Sequence, residues 1–217
     1  AVATQTLVRP RPRRMRVSFD GRCPPGVTAK DMVLALIGRH GAAGGAGHVI
    51  EFAGEAVRAL AVEGRLTLCN MAVEFDAWTG IIAPDDTTFA WVAGRPFAPQ
   101  GEAFDRAVAH WRTLVSDDDA PWEARLAIDC GDLAPQVTWG TSPGHAVAVD
   151  GVVPDPAAAS GSVRAGMEKA LAYMDLVPGR PLIIDFKYVG ERYPGGAAGH
   201  TLLLAGYIAA ENLWILC

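Results

Sequence analysis

The chain is poor in cysteine, and what it has forms no pattern. Its four cysteines, Cys23, Cys69, Cys130 and Cys217, are widely scattered. No CxxC occurs, so neither a zinc ribbon nor a redox dithiol is indicated. Free thiols in a chain with no signal-peptide pattern suit a reducing cytoplasm, which is the expected location. Long hydrophobic runs are also lacking. The longest uncharged apolar run, Leu202 to Ala210, is too short to span a bilayer. Basic excess is absent: the net charge is −5, which argues against a general nucleic-acid binder. Neither GxGxxG nor GxxxxGK is present. The glycine-rich loop Gly41–Gly47 follows a helical pattern and precedes a strand, the reverse of the order a phosphate-cradling loop needs. Its glycines are therefore read as allowing tight turns and close backbone approach. No histidine pair has a helical ligand spacing, so His40, His48, His110, His145 and His200 are read as surface or core residues and not as ligands.

What is present is a chain of 217 residues, 50% hydrophobic, enough to bury a sizeable core in one or two domains. The stretch Gly41–Gly80 organises it. After the glycine loop comes a short apolar strand, Val49–Phe52, then a helical segment from about Glu55 to Glu63. A second segment, Thr67–Asp76, carries Cys69, Asn70 and Glu74. Most of it is apolar enough to be buried, so its few polar side chains need a reason to be there. Asn70 and Glu74 are four apart, which on a helix places them one turn apart on one face. Such a pair is either a satisfied core pair or the wall of a polar site.

Elsewhere the pattern is that of an α/β fold. Arg9 to Arg16 is basic and proline-rich. Pro10 and Pro12 forbid a helix there, and Met15, Val17 and Phe19 alternate with polar residues as an amphipathic strand requires. The arginines are thus read as a solvated linker entering a strand. Thr28–Arg39 reads as a helix with Thr28 as cap, Asp31 at the capping-box position and Met32, Val33, Leu36 and Ile37 as its apolar stripe. Thr79–Ala83 reads as a buried strand, and Asp85 or Asp86 caps a helix through Phe89 and Trp91. Phe104, Val108, Trp111 and Val115 recur at helical spacing as a packing stripe. Ser116–Ala120 is a solvated loop, Arg125–Asp129 a strand, Gly151–Ser162 a surface linker and Val163–Met174 an amphipathic helix. Gly140-Thr141-Ser142-Pro143-Gly144 fits GxSxG letter for letter. A nucleophile elbow needs the residue after the serine to donate its backbone N–H, and Pro143 has none. A turn is the reading here.

Several long motifs in order carry a family resemblance: AVATQTL from Ala1, CPPGVTAKD (Cys23–Asp31), GGAGHVIEFAGEAVRAL followed by EGRLTLCNMAVEFDA, APDDTTF (Ala83–Phe89), PQVTWGTSP (Pro135–Pro143) and ALAYMDLVPGRPL (Ala170–Leu182). The chain resembles the large subunit of 3-isopropylmalate dehydratase, in the aconitase superfamily. The resemblance implies an aconitase-like α/β fold of layered sheets with flanking helices. It implies a hydro-lyase of leucine biosynthesis that isomerises 2- and 3-isopropylmalate by dehydration and rehydration, with a [4Fe-4S] cluster as Lewis acid and a small subunit as partner. By resemblance Glu74 is the site glutamate of the CNM…E motif, partnering a histidine of an earlier domain, and Asn70 lies near the cluster. Asp76 departs from the pattern, since the family usually has glycine there.

The same resemblance leaves gaps. An Asp-Ser-His segment would come before Ala1. The cluster cysteines would come after Leu182, in SCTN and CxxC motifs that this sequence does not contain. The expectation is a central fragment that by itself neither holds the cluster nor catalyses the reaction. Its expected parts are a preceding-domain tail and basic linker (1–14), a central α/β domain (15–115), a connection toward the next domain (116–182) and a segment without family resemblance (183–217). A non-catalytic remnant or binding module, or a hydro-lyase of the aconitase or homoaconitase type, is the alternative.

Overall fold

The computed structural model describes residues 3–6 and 10–180, together with the backbone of two strands at 204–208 and 213–216. After the two prolines the chain enters β1 (Arg13–Asp20), in which Met15, Val17 and Phe19 are buried and their neighbours are not. This period-2 pattern gives the strand one apolar face. β2 (His48–Ala53), β3 (Thr79–Ile81) and β4 (Ala124–Asp129) join it in a parallel sheet of order β3-β2-β1-β4. Met15 lies opposite Ile50 on one side and Ala124 on the other.

Parallel neighbours need crossovers, and helices supply them. α1 (Ala29–His40) runs from β1 to β2, with Met32, Val33, Leu36 and Ile37 at 0% exposure. α2 (Glu55–Ala59), α3 (Val62–Met71) and a 3-10 turn, Ala72–Phe75, lead from β2 to β3. α1 packs against α3, and both cover the apolar face of the sheet. Their side chains share one core cluster with Val17, Phe19, Ile50, Phe52, Leu68 and Phe75. Each such side chain contributes about 1.5–3 kcal/mol on burial. The glycine loop makes this packing possible: a Cβ at Gly44 would lie 2.3 Å from the Phe75 ring, so only glycine lets the loop close over that residue.

The other face of the sheet is polar. Arg14 pairs with Glu123 at 2.9 Å, and the Arg14 guanidinium and backbone N–H together hold the Glu123 carboxyl down to about 2. Arg16 lies 3.8 Å from the buried Glu51 and over the ring of Trp122. The Ser116 hydroxyl donates to Glu51.

Four local expectations change. The helix expected over Glu55–Glu63 breaks, because Leu60 and Ala61 take extended conformations between α2 and α3. The buried Arg65 accounts for the break by donating to the carbonyls of Leu60 and Arg58. The segment Thr67–Asp76 is likewise not one element, since α3 ends at Met71 and tightens into the 3-10 turn. Downstream, α4 (Asp86–Val92) is capped by Asp85, whose carboxylate accepts from the Thr88 N–H, and α5 (Glu102–Trp111) follows. The expected packing stripe on α5 is only half-buried: Trp111 stacks on Phe89 of α4 with Phe104 edge-on to it, while Val115 lies beyond the helix and is 56% exposed. Finally, Gly151–Ser162 is not a surface linker throughout. Val153 is 1% exposed and packs with Trp139, Ala170 and Leu171 in a second, smaller cluster. Its N–H donates to the Arg180 carbonyl and its own carbonyl accepts from Gly179, so backbone pairing carries a strand-like residue inward despite the loop-like composition.

That second cluster joins an antiparallel hairpin, β5 (Gln136–Thr138) and β6 (Ala146–Ala148), to α6 (Gly161–Met174). β7 (Leu204–Ile208) and β8 (Leu213–Leu216) pair antiparallel with each other. Apart from their backbone, the segment 183–217, including His200 and Cys217, lies outside the described residues. Among the described residues no helix is long and apolar enough to cross a membrane.

Candidate functional site

A cleft of about 1110 Å³ is built from three parts of the chain. α1 contributes Lys30 and Leu34, α3 and the turn after it contribute Cys69, Asn70 and Glu74, and the segment after β5 contributes Gly140 to Pro143. The sequence motifs CNM…E and WGTSP, some seventy residues apart in the chain, therefore meet in space.

One buried carboxylate fixes their meeting. Asp31 is 8% exposed. One of its oxygens accepts from the Thr28 N–H at 2.7 Å and the Thr28 hydroxyl at 2.6 Å, and the other accepts from the Gln136 N–H at 2.7 Å. The helix cap expected from the sequence thus also ties the first turn of α1 to the start of β5. Charge-assisted hydrogen bonds of this kind are the strong ones, and here they set the distance between two walls of the cleft.

Asn70 lies in the last turn of α3 and Glu74 in the 3-10 turn, so the expected single helical face is replaced by two elements that open onto the same cleft. Both side chains are exposed, not buried as the apolar surroundings suggested. Neither has a hydrogen-bond partner among the described residues. They are not a satisfied core pair; they are free to meet something that enters. Cys69 is half-buried beside them, and burial pushes its thiol up, which keeps it protonated and neutral at pH 7.

Ser142 is part of a turn. Its hydroxyl accepts from the Gly144 N–H at 3.2 Å, and its carbonyl accepts from the His145 N–H. Among the described residues no histidine faces it as a base: the His145 ring is stacked on Trp139 with centroids 4.3 Å apart, and burial pushes its pKa down. The hydrolase reading of GxSxG has no support in this geometry. His48 is a core residue whose Nδ1 lies 2.9 Å from the Ala46 carbonyl.

Asp76 ends the 3-10 turn at φ 65°, ψ 18°, a left-handed conformation. Glycine adopts it freely and aspartate is among the few other residues that tolerate it. The turn that presents Glu74 is therefore formed with aspartate in place. Replacing Asp76 with glycine is expected to stabilise the fold by about 0.5–1 kcal/mol, read as a higher urea midpoint at unchanged slope. A lower midpoint would show that the Asp76 side chain itself holds the turn.

The residue that the sequence reading passed over is Lys30. It sits in the VTAKD motif, and its signal was a cation in the first turn of a helix, where the macrodipole disfavours it. Among the described residues, no three of His, Cys, Asp and Glu group as metal ligands. Cys69 faces the cleft, whereas Cys23 and Cys130 follow the ends of β1 and β4.

Comparison with known proteins bears on the whole arrangement. A family model described as the aconitase family (aconitate hydratase) matches residues 1–190, past the Leu182 at which the motifs fade. The 3-isopropylmalate dehydratase large subunit 1 of Bradyrhizobium diazoefficiens is 55% identical over 194 residues, covering 88% of this chain and 41% of that protein. The chain thus spans about two fifths of the length of the curated relative it matches.

Proposed function

The chain belongs to the aconitase family, and on that premise we propose that it forms one wall of the active site of a 3-isopropylmalate dehydratase large subunit. The reaction is the interconversion of 2- and 3-isopropylmalate by loss and return of water, in leucine biosynthesis. The observation that carries this reading is the convergence of Asn70, Glu74 and the 140–143 segment on one cleft. Hydroxide is a poor leaving group, so a protonated acid must meet it as the C–O bond breaks. Glu74, exposed to the cleft and unpaired among the described residues, is that acid. It gives its proton to the departing oxygen and takes one back from water when the double bond is rehydrated at the neighbouring carbon. The carbon-bound proton is removed by a base that the small subunit, the expected partner, supplies.

In the family a [4Fe-4S] cluster supplies Lewis-acid chemistry at the substrate hydroxyl, and on this reading Asn70 lies near it. Such a cluster takes thiolates that converge. Among the described residues Cys130 is hydrogen-bonded to Cys23 while Cys69 opens onto the cleft, so these three thiols do not form one ligand set.

The test is substrate choice. The complete, cluster-loaded enzyme containing this sequence, assembled with its small subunit, is expected to turn over 2-isopropylmalate with a kcat/KM at least about a hundredfold above that for citrate or homocitrate. Preference for either competitor would move the protein to another branch of the family. No turnover of any of the three would remove the enzymatic reading.

A further inference from the structure

Lys30 is exposed on the second residue of α1 and lines the cleft. Among the described residues it is the one basic side chain that lines the cleft. No ion pair or hydrogen bond engages its ammonium among the described residues. Its position is also electrically unfavourable, because the first turn of a helix carries the positive end of the macrodipole. The adjacent Asp31 turns its carboxylate inward to Thr28 and Gln136, so it is committed to the fold and does not neutralise the cleft. Among the described residues the only carboxylate lining the cleft is Glu74, on a different wall. A cation placed against the helix dipole, unpaired and facing an open cavity, has its electrostatic use only when an anion arrives.

We propose that Lys30 is the anion receptor of this cleft, taking one carboxylate of a malate-like dicarboxylate whose hydroxyl is directed toward Glu74. The proposal rests on the reading that the cleft holds a hydroxy acid, and it adds the residue that holds it. The backbone under Lys30 is pinned by the Asp31 bonds, so the ammonium swings only on its own side chain. Lys30 on one wall and Glu74 on another give a bound dicarboxylate one orientation, with an attractive end and an acid end. The ammonium is a flexible point charge rather than a planar fork, so arginine in its place would keep the charge and lose part of the fit.

The full chain titrated with 2-isopropylmalate, followed by amide chemical shifts around Asn70 and Glu74, tests this directly. Wild type is expected to bind saturably, and binding is expected to weaken as salt rises, since the cleft is open to solvent. Lys30→Gln is expected to raise Kd at least tenfold and to flatten the salt dependence, while Lys30→Arg recovers part of the affinity. Lys30 is exposed, and unchanged circular dichroism will show that each variant folds. Equal Kd and equal salt dependence in wild type and Lys30→Gln would overturn the proposal, as would a wild type that does not bind saturably. These outcomes are separate from substrate choice in the complete enzyme. An isopropylmalate-preferring enzyme with an indifferent Lys30 loses only this assignment. An enzyme that turns over none of the three acids loses the functional reading, while a Lys30-dependent Kd would still stand.

Discussion

Replacing Arg65 with methionine is expected to lower the stability of the chain by about 2–3 kcal/mol, because it removes a buried guanidinium and its hydrogen bonds from a carboxylate that is itself 35% exposed. Arg65 is 4% exposed. Its guanidinium donates to both Asp85 oxygens at 2.6 and 2.8 Å, to the Thr88 hydroxyl, and to the carbonyls of Leu60 and Arg58. One side chain therefore satisfies the backbone where α2 breaks from α3 and anchors the cap of α4. Methionine fills much of the volume but leaves two carbonyls and a partly buried carboxylate without their donors, and an acceptor left short of its partner costs more the less water can reach it. Urea unfolding at neutral pH measures the loss. Its pH dependence identifies the cause. The Arg65 guanidinium holds the Asp85 carboxyl below its ordinary range. A depressed folded-state pKa gives stability that is present above the unfolded value, near 3.9, and lost as pH falls through the folded value. The gap between wild type and Arg65→Met should therefore narrow as the solution is acidified below about pH 4. A gap that stays constant would assign the loss to packing and to the carbonyls instead of to the pair.

Arg65 also marks where the sequence stops being legible. Periodicity is a local signal, and it located what local burial decides: Met15, Val17 and Phe19 on one face of β1, and Met32, Val33, Leu36 and Ile37 under α1. The break at Leu60 and Ala61 is invisible to periodicity because no local residue type enforces it. What permits it is a guanidinium from the next helix and a carboxylate from beyond β3. Val153 shows the same limit from the other side. Its surroundings, rich in proline, alanine and glycine, carry the composition of a surface loop, yet pairing with residues near 180 draws it into a core shared with Trp139 and Leu171.

The site was legible in a different way. The spacing of Asn70 and Glu74 suggested one polar face, and the structure does turn both toward one space, but through a helix that ends and a tighter turn that follows. Their exposure was not legible, because the residues between and around them are apolar for the sake of the core beneath, where Leu68, Ala72 and Phe75 are all at 0% exposure. The second wall could be placed by no spacing argument. It depends on Asp31 reaching across 105 positions to Gln136. The motif VTAKD thus holds two neighbours with opposite assignments: Asp31 turned in to hold the walls together, and Lys30 turned out into the space they enclose.

Glu74→Gln, made in the complete cluster-loaded enzyme with its small subunit, is expected to lower kcat by about a hundredfold or more with little change in KM. Glutamine keeps the size of the side chain and can still donate and accept hydrogen bonds, but it cannot exchange a proton. An interaction made only as the C–O bond breaks lowers kcat and kcat/KM together and spares binding. The structure removes the main competing explanation. Glu74 is exposed, has no partner among the described residues and belongs to a turn whose buried members are Ala72 and Phe75. The substitution should therefore change folding stability by no more than about 0.5 kcal/mol, as for ordinary surface positions. Denaturation of wild type and variant, run beside the kinetics, separates the two effects. A hundredfold loss of turnover at unchanged stability makes Glu74 the acid. Near-normal turnover would leave it a solvated carboxylate on the cleft wall. A KM that rises while kcat holds would make it a binding group, opposite in sign to what Lys30 and an anionic substrate require of it.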